Sequence, residues 1–238
     1  MLLEEMRVIF EHSGETYGSP RIHRALKARG QRVSRRRIER LMRASGWRAR
    51  LVRVYRPKAG THRWFGQHPN HVRRTHATGP NQIWVADVTY LAVGRRWWYL
   101  VAVLDQYSRR VLAWRLGAIR NSRLTGFAVE AALRRRRPAA GLIFHSDRGS
   151  EFLGAAFRQR LAASGIQQSM TRGGAPDENA HIESFFHSLK ADAIHGRSFS
   201  TVAELRHQLR HYVWYYNHQR LHSSLGYQSP VDYERAAA

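Results

Sequence analysis

Three acidic residues stand out because their types and positions suit metal-dependent chemistry. Asp87 lies inside an apolar run, between Ala86 and Val88. An ionised carboxylate there is costly unless a cation or hydrogen-bond donors satisfy it. Asp147 follows a second, shorter apolar segment, and Glu183 lies in a stretch of helical character. Carboxylate oxygens without any cysteine suit Mg²⁺ or Mn²⁺, so these three residues predict a divalent-metal site.

Each of the three also has a purely structural interpretation. Asp87 could face solvent at a strand edge, and Asp147 could shape a turn before Gly149. Glu183 could belong to a solvated helix face. Taken singly, none of these residues distinguishes the two interpretations, so their relative positions in the fold must decide.

The elements that would position these residues follow from periodicity. Strands are expected at 83–91, 97–104, 110–116, 142–145 and 166–170. Helices are expected at 124–137, 151–164 and 201–217, and a further long helix follows the Gly/Pro loop 173–176 and continues through Glu183 and Lys190. The first three strands predict an antiparallel meander. Alternation of strands and helices afterwards predicts a mixed α/β sheet. Asp147 then lies at the carboxyl end of the fourth strand, where ligands collect in such sheets.

The helix that carries Glu183 has two distinct faces. His187 and Lys190 follow Glu183 at helical spacing and share its face. The buried side is apolar and consists of Phe185, Phe186 and Leu189. This helix is therefore expected to dock with its Glu/His/Lys face at the margin of the core.

The chain divides into four segments. Residues 1–50 predict a helix-turn-helix-like domain whose second helix carries Arg35, Arg36, Arg37, Arg40 and Arg43. Residues 51–80 predict a basic linker, 81–200 the α/β core that carries the three acids, and 201–238 a C-terminal helix and basic tail. The arginine-rich face could simply be solvated, but contact with DNA is preferred given the overall charge.

Charge is the unusual feature of the composition. Forty Lys and Arg against 17 Asp and Glu give a formal net charge of +23. Such an excess favours a polyanionic partner, and nucleic acid releases condensed counterions on binding. The absence of cysteine excludes disulfides and thiol chemistry. No apolar run approaches the about 18 residues of a membrane span, so the expected location is the cytoplasm.

The spacing of the acids matches a known pattern. Thirty-five residues separate Asp147 from Glu183, and Lys190 follows seven positions later. This resembles the D-D-35-E core of the retroviral-integrase superfamily, and more closely the second-frame transposases of the IS3 family of bacterial insertion sequences. The matching runs are Trp84–Tyr90, Tyr99–Arg110, His145–Ser150, Glu183–Phe186, Leu189-Lys190, Tyr216–Pro230 and, in the N-terminal segment, Tyr17–Met42.

The resemblance implies an RNase H-like fold with a five-stranded sheet and phosphoryl transfer on DNA. Asp87, Asp147 and Glu183 would be catalytic and would hold the metal, with two ions expected. The residues expected to contact DNA are Lys190, His187, Arg148, Arg36, Arg37, Arg40 and Arg220. A homo-oligomer on DNA is expected, with an upstream reading-frame protein joined by frameshifting as a further partner, in a bacterial, nucleoid-associated setting.

Some alternatives stay open at this point. Asp177, Glu178 and Asp105 are rival carboxylates, although Asp105 fits a turn better. A non-catalytic DNA-binding regulator and an RNase H-like nuclease are the competing functions. Trp97 and Trp98 are expected in the core rather than stacked on nucleobases.

Overall fold

The computed structural model describes residues 1–50, 69–73, 75–171 and 179–237. The helices are α1 (Leu2–His12), α2 (Ser19–Ala28), α3 (Arg35–Ala44), α4 (Ser122–Arg136), α5 (Ser150–Leu153), α6 (Ala155–Ala163), α7 (Ala180–Leu189), α8 (Val202–His218) and α9 (Pro230–Ala236). The strands are β1 (Ile83–Val93), β2 (Arg96–Asp105), β3 (Val111–Gly117), β4 (Ile143–Ser146) and β5 (Gln167–Met170). None of the described helices is long and apolar enough to cross a bilayer.

The five strands form one mixed sheet in the order β3-β2-β1-β4-β5. β1, β2 and β3 pair antiparallel, as the predicted meander requires, whereas β4 and β5 run parallel to β1. The pairing between β1 and β4 covers only Ile83–Ala86, the first part of β1. The remainder of β1, beginning at Asp87, therefore extends beyond the carboxyl end of β4.

Both faces of the sheet are covered, which explains the nearly continuous apolar sequence of its central strands. Ile83 and Val85 of β1 belong to the cluster that also contains Phe185 of α7 and Leu209 of α8. The alternate positions of β1 belong to a second cluster, formed with α4, α5 and α6. The sheet thus lies between two helical layers, and β1 is buried from both sides.

One predicted helix is interrupted. The sequence predicts a single helix over 151–164, but Gly154 has an extended conformation (φ −57°, ψ 136°) and separates α5 from α6. A Cβ at Gly154 would lie 3.1 Å from the Cβ of Ser122 at the start of α4. The break therefore coincides with a close approach between α4 and this turn, which favours glycine.

The N-terminal helices have their own core. Met6 of α1, Ile22 and Leu26 of α2, and Ile38 of α3 are fully buried against one another. The Ser34 side chain accepts a hydrogen bond from the Arg37 backbone N–H and caps α3, as expected for a serine at this position. The predicted linker 51–80 falls mostly outside the described residues.

The C-terminal segment is more structured than a basic tail. The side chain of Asn217 both accepts from the Val111 N–H and donates to the Val111 carbonyl, at 2.9 Å each, which joins α8 to the edge strand β3. α9 follows α8 after a short 3₁₀ turn, Ser223–Leu225. Glu234 of α9 forms ion pairs with Arg110 and Arg136, at 2.5 and 2.9 Å. These contacts hold the C-terminus against the core.

Candidate active site

Strand register brings Asp87 and Asp147 side by side. Ala86 of β1 is the partner of Ser146, the last residue of β4. The next residue on each parallel strand is an aspartate, and neighbouring strands are about 4.8 Å apart. The two carboxylates therefore lie at the point where β4 ends and one edge of β1 becomes free.

Asp87 is held in an unfavourable environment for a negative charge. It is half-buried, and its Oδ1 accepts a hydrogen bond of 2.7 Å from the Val88 N–H. Burial raises its pKa well above the ordinary value, and the negative charge of Asp147 raises it further, with smaller contributions from Glu151 and Glu183. Burial next to a second acid raises the pKa of a carboxyl group, and carboxyl groups perturbed in this way cluster at functional sites.

The negative charge of Asp147 is stabilised by its surroundings more than that of Asp87. Its Oδ1 accepts a hydrogen bond of 3.0 Å from the Gly149 N–H. Burial raises its pKa, while the Gly149 N–H and the positive charge of Arg120 oppose the increase. The turn-forming interpretation of Asp147 is therefore compatible with its position beside Asp87, since the same carboxylate serves the turn and faces the other acid.

Glu183 approaches from the first turn of α7. Ile182 and Phe185 are buried and fix the helix on the sheet. Asn179, immediately before α7, donates to the Ala86 carbonyl at 3.3 Å and so attaches the start of the helix to β1 next to Asp87. Glu183 lies on the exposed face, near enough for its charge to raise the pKa of Asp87.

Lys190 lies near these acids but not on a continuous α-helix. α7 ends at Leu189, and Lys190 begins a π-helical turn, Lys190–Ile194. Burial lowers the pKa of Lys190, and the negative charge of Asp87 opposes that decrease. Its Nζ lies 5.0 Å from the centre of the Tyr90 ring. His187, one turn earlier, is exposed.

Glu151 is an acidic residue of this site that the sequence did not single out. It is only 3% exposed, and its Oε2 lies 3.1 Å from Arg120 Nε. Its carboxylate folds over Gly149, where a Cβ would lie 2.6 Å from Oε1. Its position four residues after Asp147 was visible in the sequence, but nothing there indicated that the side chain turns inward.

The donor set fits a hard divalent cation. Asp87, Asp147 and Glu183 offer oxygen ligands only, and their mutual repulsion is relieved by a cation. Within the described ranges, however, no group of three acidic or histidine side chains is gathered closely enough to hold one ion. The arrangement thus supplies two neighbouring carboxylates and a third that interacts with them electrostatically.

Other acids expected as rivals are assigned differently. The Asp105 carboxylate accepts hydrogen bonds from the Ser108 and Asn81 N–H groups, at 3.0 and 2.7 Å. It therefore shapes the β2–β3 turn, as its sequence context indicated. Asp177 and Glu178 lie outside the described residues.

The residues expected to contact DNA are dispersed over the molecule. Arg36, Arg37 and Arg40 are exposed on α3, remote in sequence from the acids. Arg148 is half-buried, and its Nε donates to the Thr171 carbonyl at 2.8 Å. Its guanidinium is therefore anchored from one side.

The expectation for Arg220 was wrong. Arg220 is 6% exposed, and its Nε donates to Asp192 Oδ2 at 2.8 Å. A buried guanidinium paired with a carboxylate is unavailable to a DNA phosphate without breaking that pair. Arg220 instead joins the end of α8 to the π-helical turn that carries Asp192 and Lys190.

Trp97 also departs from expectation. It was expected in the core, but it is 58% exposed, whereas its neighbour Trp98 is partly buried and packs against the core. Consecutive residues of a strand point to opposite faces, so the two tryptophans cannot share one environment. Among the aromatic residues of α8, Tyr212, Tyr215 and Tyr216 are buried, whereas Trp214 is 51% exposed.

Comparisons with known families agree with this architecture. An integrase core domain model matches residues 77–176, a second integrase core domain model matches 164–230, and an HTH-like domain model matches 1–55. Two solved structures share the fold. A chain of the simian T-cell lymphotropic virus intasome aligns with a TM-score of 0.56 at 16% identity, over 71% of this chain and 59% of that one. The catalytic core of BIV integrase aligns at 0.50 and 15%, over 66% and 95%.

Sequence relatives extend over nearly the whole chain. The 31 kDa protein of insertion element IS600 from Shigella sonnei is 37% identical over 95% of this chain and 84% of its own length. The IS904 transposase of Lactococcus lactis is 33% identical over 99% and 94%. Transposase InsF of IS3A from Escherichia coli is 34% identical over 94% and 79%. The chain therefore belongs to the IS3 family of insertion-sequence transposases, polynucleotidyl transferases with an integrase core.

Proposed function

We propose that Asp87, Asp147 and Glu183 form the reaction centre of this transposase and depend on Mg²⁺ or Mn²⁺. The observation that carries the assignment is the register of β1 and β4, which places two aspartates side by side in a partly buried position. The raised pKa of Asp87, caused by burial and by the charge of Asp147, indicates a site arranged for a cation rather than for stability.

Asp87 and Asp147 would hold the ions, of which two are expected, and Glu183 would complete the ligand shell of one. Bound divalent ions would neutralise negative charge at the phosphate and would stabilise both the attacking and the leaving oxygen of an in-line displacement. Glu183 lies on the exposed face of α7, and its charge raises the pKa of Asp87. The position of Asp87 and Asp147 on neighbouring strands, with Glu183 on the helix packed against β1, supports this division of roles.

The reaction would proceed in two phosphoryl transfers at this centre. Water attacks the phosphodiester at the end of the element and releases a 3′-hydroxyl. That hydroxyl then attacks a second phosphodiester, on the other end of the element or on target DNA. A new phosphodiester bond forms, the attacked strand leaves with a free 3′-hydroxyl, and no covalent enzyme intermediate forms. Lys190 interacts electrostatically with Asp87, Arg148 directly follows Asp147, and His187 lies one helical turn after Glu183. These three residues would bind the DNA strand beside the scissile phosphate.

The arginine-rich face of α3 would bind DNA separately from the reaction centre. Arg36, Arg37 and Arg40 are exposed on the second helix of the helix-turn-helix-like pair. Arginines at such a position contact phosphates and base edges in the major groove. This unit would hold the DNA while the core acts on its end.

The proposed assembly is a homo-oligomer on DNA in the bacterial cytoplasm, associated with the nucleoid. Two element ends must be handled together, and the matched viral chain comes from an intasome. An upstream reading-frame protein joined by frameshifting would contribute sequence-specific recognition of the ends.

The reaction class is tested by a strand-joining assay with the element's own flanking DNA, in Mg²⁺ and in chelator, with and without the upstream-frame protein. The expected result is metal-dependent release of a 3′ end followed by a joined product. A simple RNase H-like nuclease would cleave without joining, and a DNA-binding regulator would bind without cleaving. Either of those results with intact, DNA-bound protein would refute the proposal.

A further inference from the structure

Two large aromatic side chains are exposed close to the proposed reaction centre. Tyr90 of β1 and Trp97 of β2 are 43% and 58% exposed. Their rings meet edge to face, with centres 5.0 Å apart and planes at 87°. This geometry is favourable for aromatic pairs. The pair is therefore an ordered surface feature, not two unrelated exposed side chains.

The strand register defines how this pair lies relative to Asp87. Tyr90 lies opposite Tyr99, and Ala92 lies opposite Trp97, so Tyr90 and Trp97 are diagonal neighbours on one face of the β1–β2 hairpin. Tyr90 is three residues beyond Asp87, on the part of β1 that β4 does not cover. Side chains three residues apart on a strand point to opposite faces, so the aromatic pair and the Asp87 carboxylate leave β1 on different sides. Lys190, which contacts the Tyr90 ring and interacts electrostatically with Asp87, connects the two.

Positive charge accompanies the aromatic pair. Lys190 Nζ lies 5.0 Å from the centre of the Tyr90 ring, and the same lysine interacts electrostatically with Asp87. Arg95 and Arg96, in and beside the β1–β2 turn, are exposed next to Trp97. Aromatic rings with adjacent cations are the combination that binds single-stranded nucleic acid, because bases stack on the rings and phosphates pair with the cations.

We propose that Tyr90 and Trp97 form a stacking platform for one unpaired nucleobase of the DNA end whose phosphodiester is being cut or joined. Lys190 and the arginines of the β1–β2 turn would bind the phosphates on either side of that base. The base must be unpaired, because a paired and stacked base offers no free face to an exposed ring. The platform rests on the proposed function, since it supposes that a DNA end occupies the neighbouring centre.

The platform would position the DNA end and would not take part in the chemistry. Neither ring touches the reacting atoms, so its contribution is to fix the strand relative to Asp87 and Asp147. Loss of the platform should therefore weaken binding of one particular nucleotide position and leave metal dependence unchanged. That signature differs from the loss of a general phosphate contact, which would weaken all positions alike.

The test is a double-mutant cycle between protein and DNA. A series of element-end duplexes with a single abasic site at successive positions around the cleavage point is bound to wild type and to Trp97→Ala. Affinities are measured by anisotropy with Ca²⁺ in place of Mg²⁺, to hold back cleavage. At one position the abasic site should weaken wild-type binding roughly 5- to 100-fold. At that position it should have little further effect on Trp97→Ala, because the stacking partner is already absent.

Two variants serve as controls. Trp214→Ala removes a tryptophan of similar exposure from α8, where its ring is stacked on His218, and should behave as wild type. Trp97→Phe keeps an aromatic face and should lose much less affinity than Trp97→Ala. Circular dichroism should show that both Trp97 variants are folded, and Trp97→Ala should lose only the modest stability of its contact with Tyr90, since the side chain is exposed.

The outcomes separate the platform from the proposed function. If wild type cuts and joins the ends but abasic effects are identical in wild type and Trp97→Ala at every position, the platform is refuted while the function stands. The platform is also refuted if Trp214→Ala loses position-specific binding as Trp97→Ala does. If wild type neither binds nor cuts the ends, the proposed function itself fails.

Discussion

Asp87 illustrates at the scale of a single residue how a site for chemistry differs from a site for stability. Its half-buried carboxylate accepts a hydrogen bond from the Val88 N–H and faces the negative charge of Asp147. Burial and like charge both oppose its ionisation. The free energy of unfolding of the metal-free protein should therefore increase when this charge is removed.

The first prediction concerns Asp87→Asn in chelator. Because burial and Asp147 raise the pKa of Asp87 in the folded state, the folded protein holds its proton more tightly than the unfolded chain does. Wild-type stability should consequently decrease as pH rises from the ordinary carboxyl pKa through the raised one. Asp87→Asn removes the contribution of Asp87 to this decrease and should be more stable at neutral pH by about 1 kcal/mol. Urea unfolding across pH measures both effects.

With Mg²⁺ added, wild type should become more stable than Asp87→Asn. Mg²⁺ binds the native wild-type site and raises its free energy of unfolding, but should not do so for Asp87→Asn. The control is Glu11→Gln, which changes an exposed carboxylate on α1 and should follow wild type throughout. Equal stability of Asp87→Asn and wild type in chelator at all pH values would contradict the electrostatic description of the site.

The sequence singled out Asp87, Asp147 and Glu183 by their residue type and spacing, and the register of β1 and β4 brings two of them together. Sequence reasoning failed for residues whose environment depends on the surrounding fold. Arg220 is basic and close to the family's C-terminal signature, yet the carboxylate of Asp192 pairs with it in the interior. Glu151 turns inward towards Arg120. Neither contact could be predicted from residue type, since both partners come from other elements.

At the scale of elements, strands were easier to predict than helix interruptions. β1 and β2 are long and apolar because helices cover both faces of the sheet, and this appears directly in the sequence. The break at Gly154 and the π-helical turn at Lys190 are not apparent in the sequence, because they depend on packing against other elements. α9 was missed as a helix, although Ser229-Pro230 provides a cap and a first-turn proline.

The second prediction concerns Glu234 of α9, whose side chain is 9% exposed between Arg110 and Arg136. Burial alone would raise its pKa, but hydrogen bonds from Arg110, Arg136 and Ser108 outweigh this and lower it. Glu234→Gln should destabilise the protein at neutral pH by about 3 kcal/mol, because two partly buried arginines lose their counter-charge.

The pH dependence of this effect has a definite sign. A lowered carboxyl pKa stabilises the fold above the ordinary value, and that contribution is lost as pH falls through the folded-state pKa. The difference between Glu234→Gln and wild type should therefore shrink in acid. Glu39→Gln, at an exposed position on α3, is the matched control. A difference that is constant from neutral to acidic pH would contradict the ion-pair explanation.

At the scale of the whole molecule, the N-terminal helices and the C-terminal segment lie against each other despite their separation in sequence. The Leu221 N–H donates to the Tyr17 hydroxyl at 2.8 Å, and Arg21 Nε donates to the Leu221 carbonyl at 3.0 Å. Four separate segments in sequence therefore do not behave as four independent bodies. The sequence showed no sign of this contact, because it joins residues about 200 positions apart.

The third prediction tests this junction with Tyr17→Phe. The change removes the acceptor of the Leu221 N–H while the buried ring is kept. An unsatisfied, partly buried donor costs about 1–2 kcal/mol, so the junction should open more often. Hydrogen exchange at the Leu221 amide should accelerate, whereas Tyr233→Phe, a hydroxyl deletion in α9, should leave it unchanged. Unaltered exchange in Tyr17→Phe would show that this hydrogen bond does not hold the two regions together.

The most direct test of the reaction centre is a comparison of strand joining and DNA binding in one carboxylate variant. Asp147→Asn keeps the shape of the side chain and its place beside Asp87, but removes the charge. We expect at least a hundredfold loss of Mg²⁺-dependent joining, as for other single groups that stabilise a transition state, with affinity for the element end retained. Full joining activity by Asp147→Asn in Mg²⁺ would contradict the assignment of the centre.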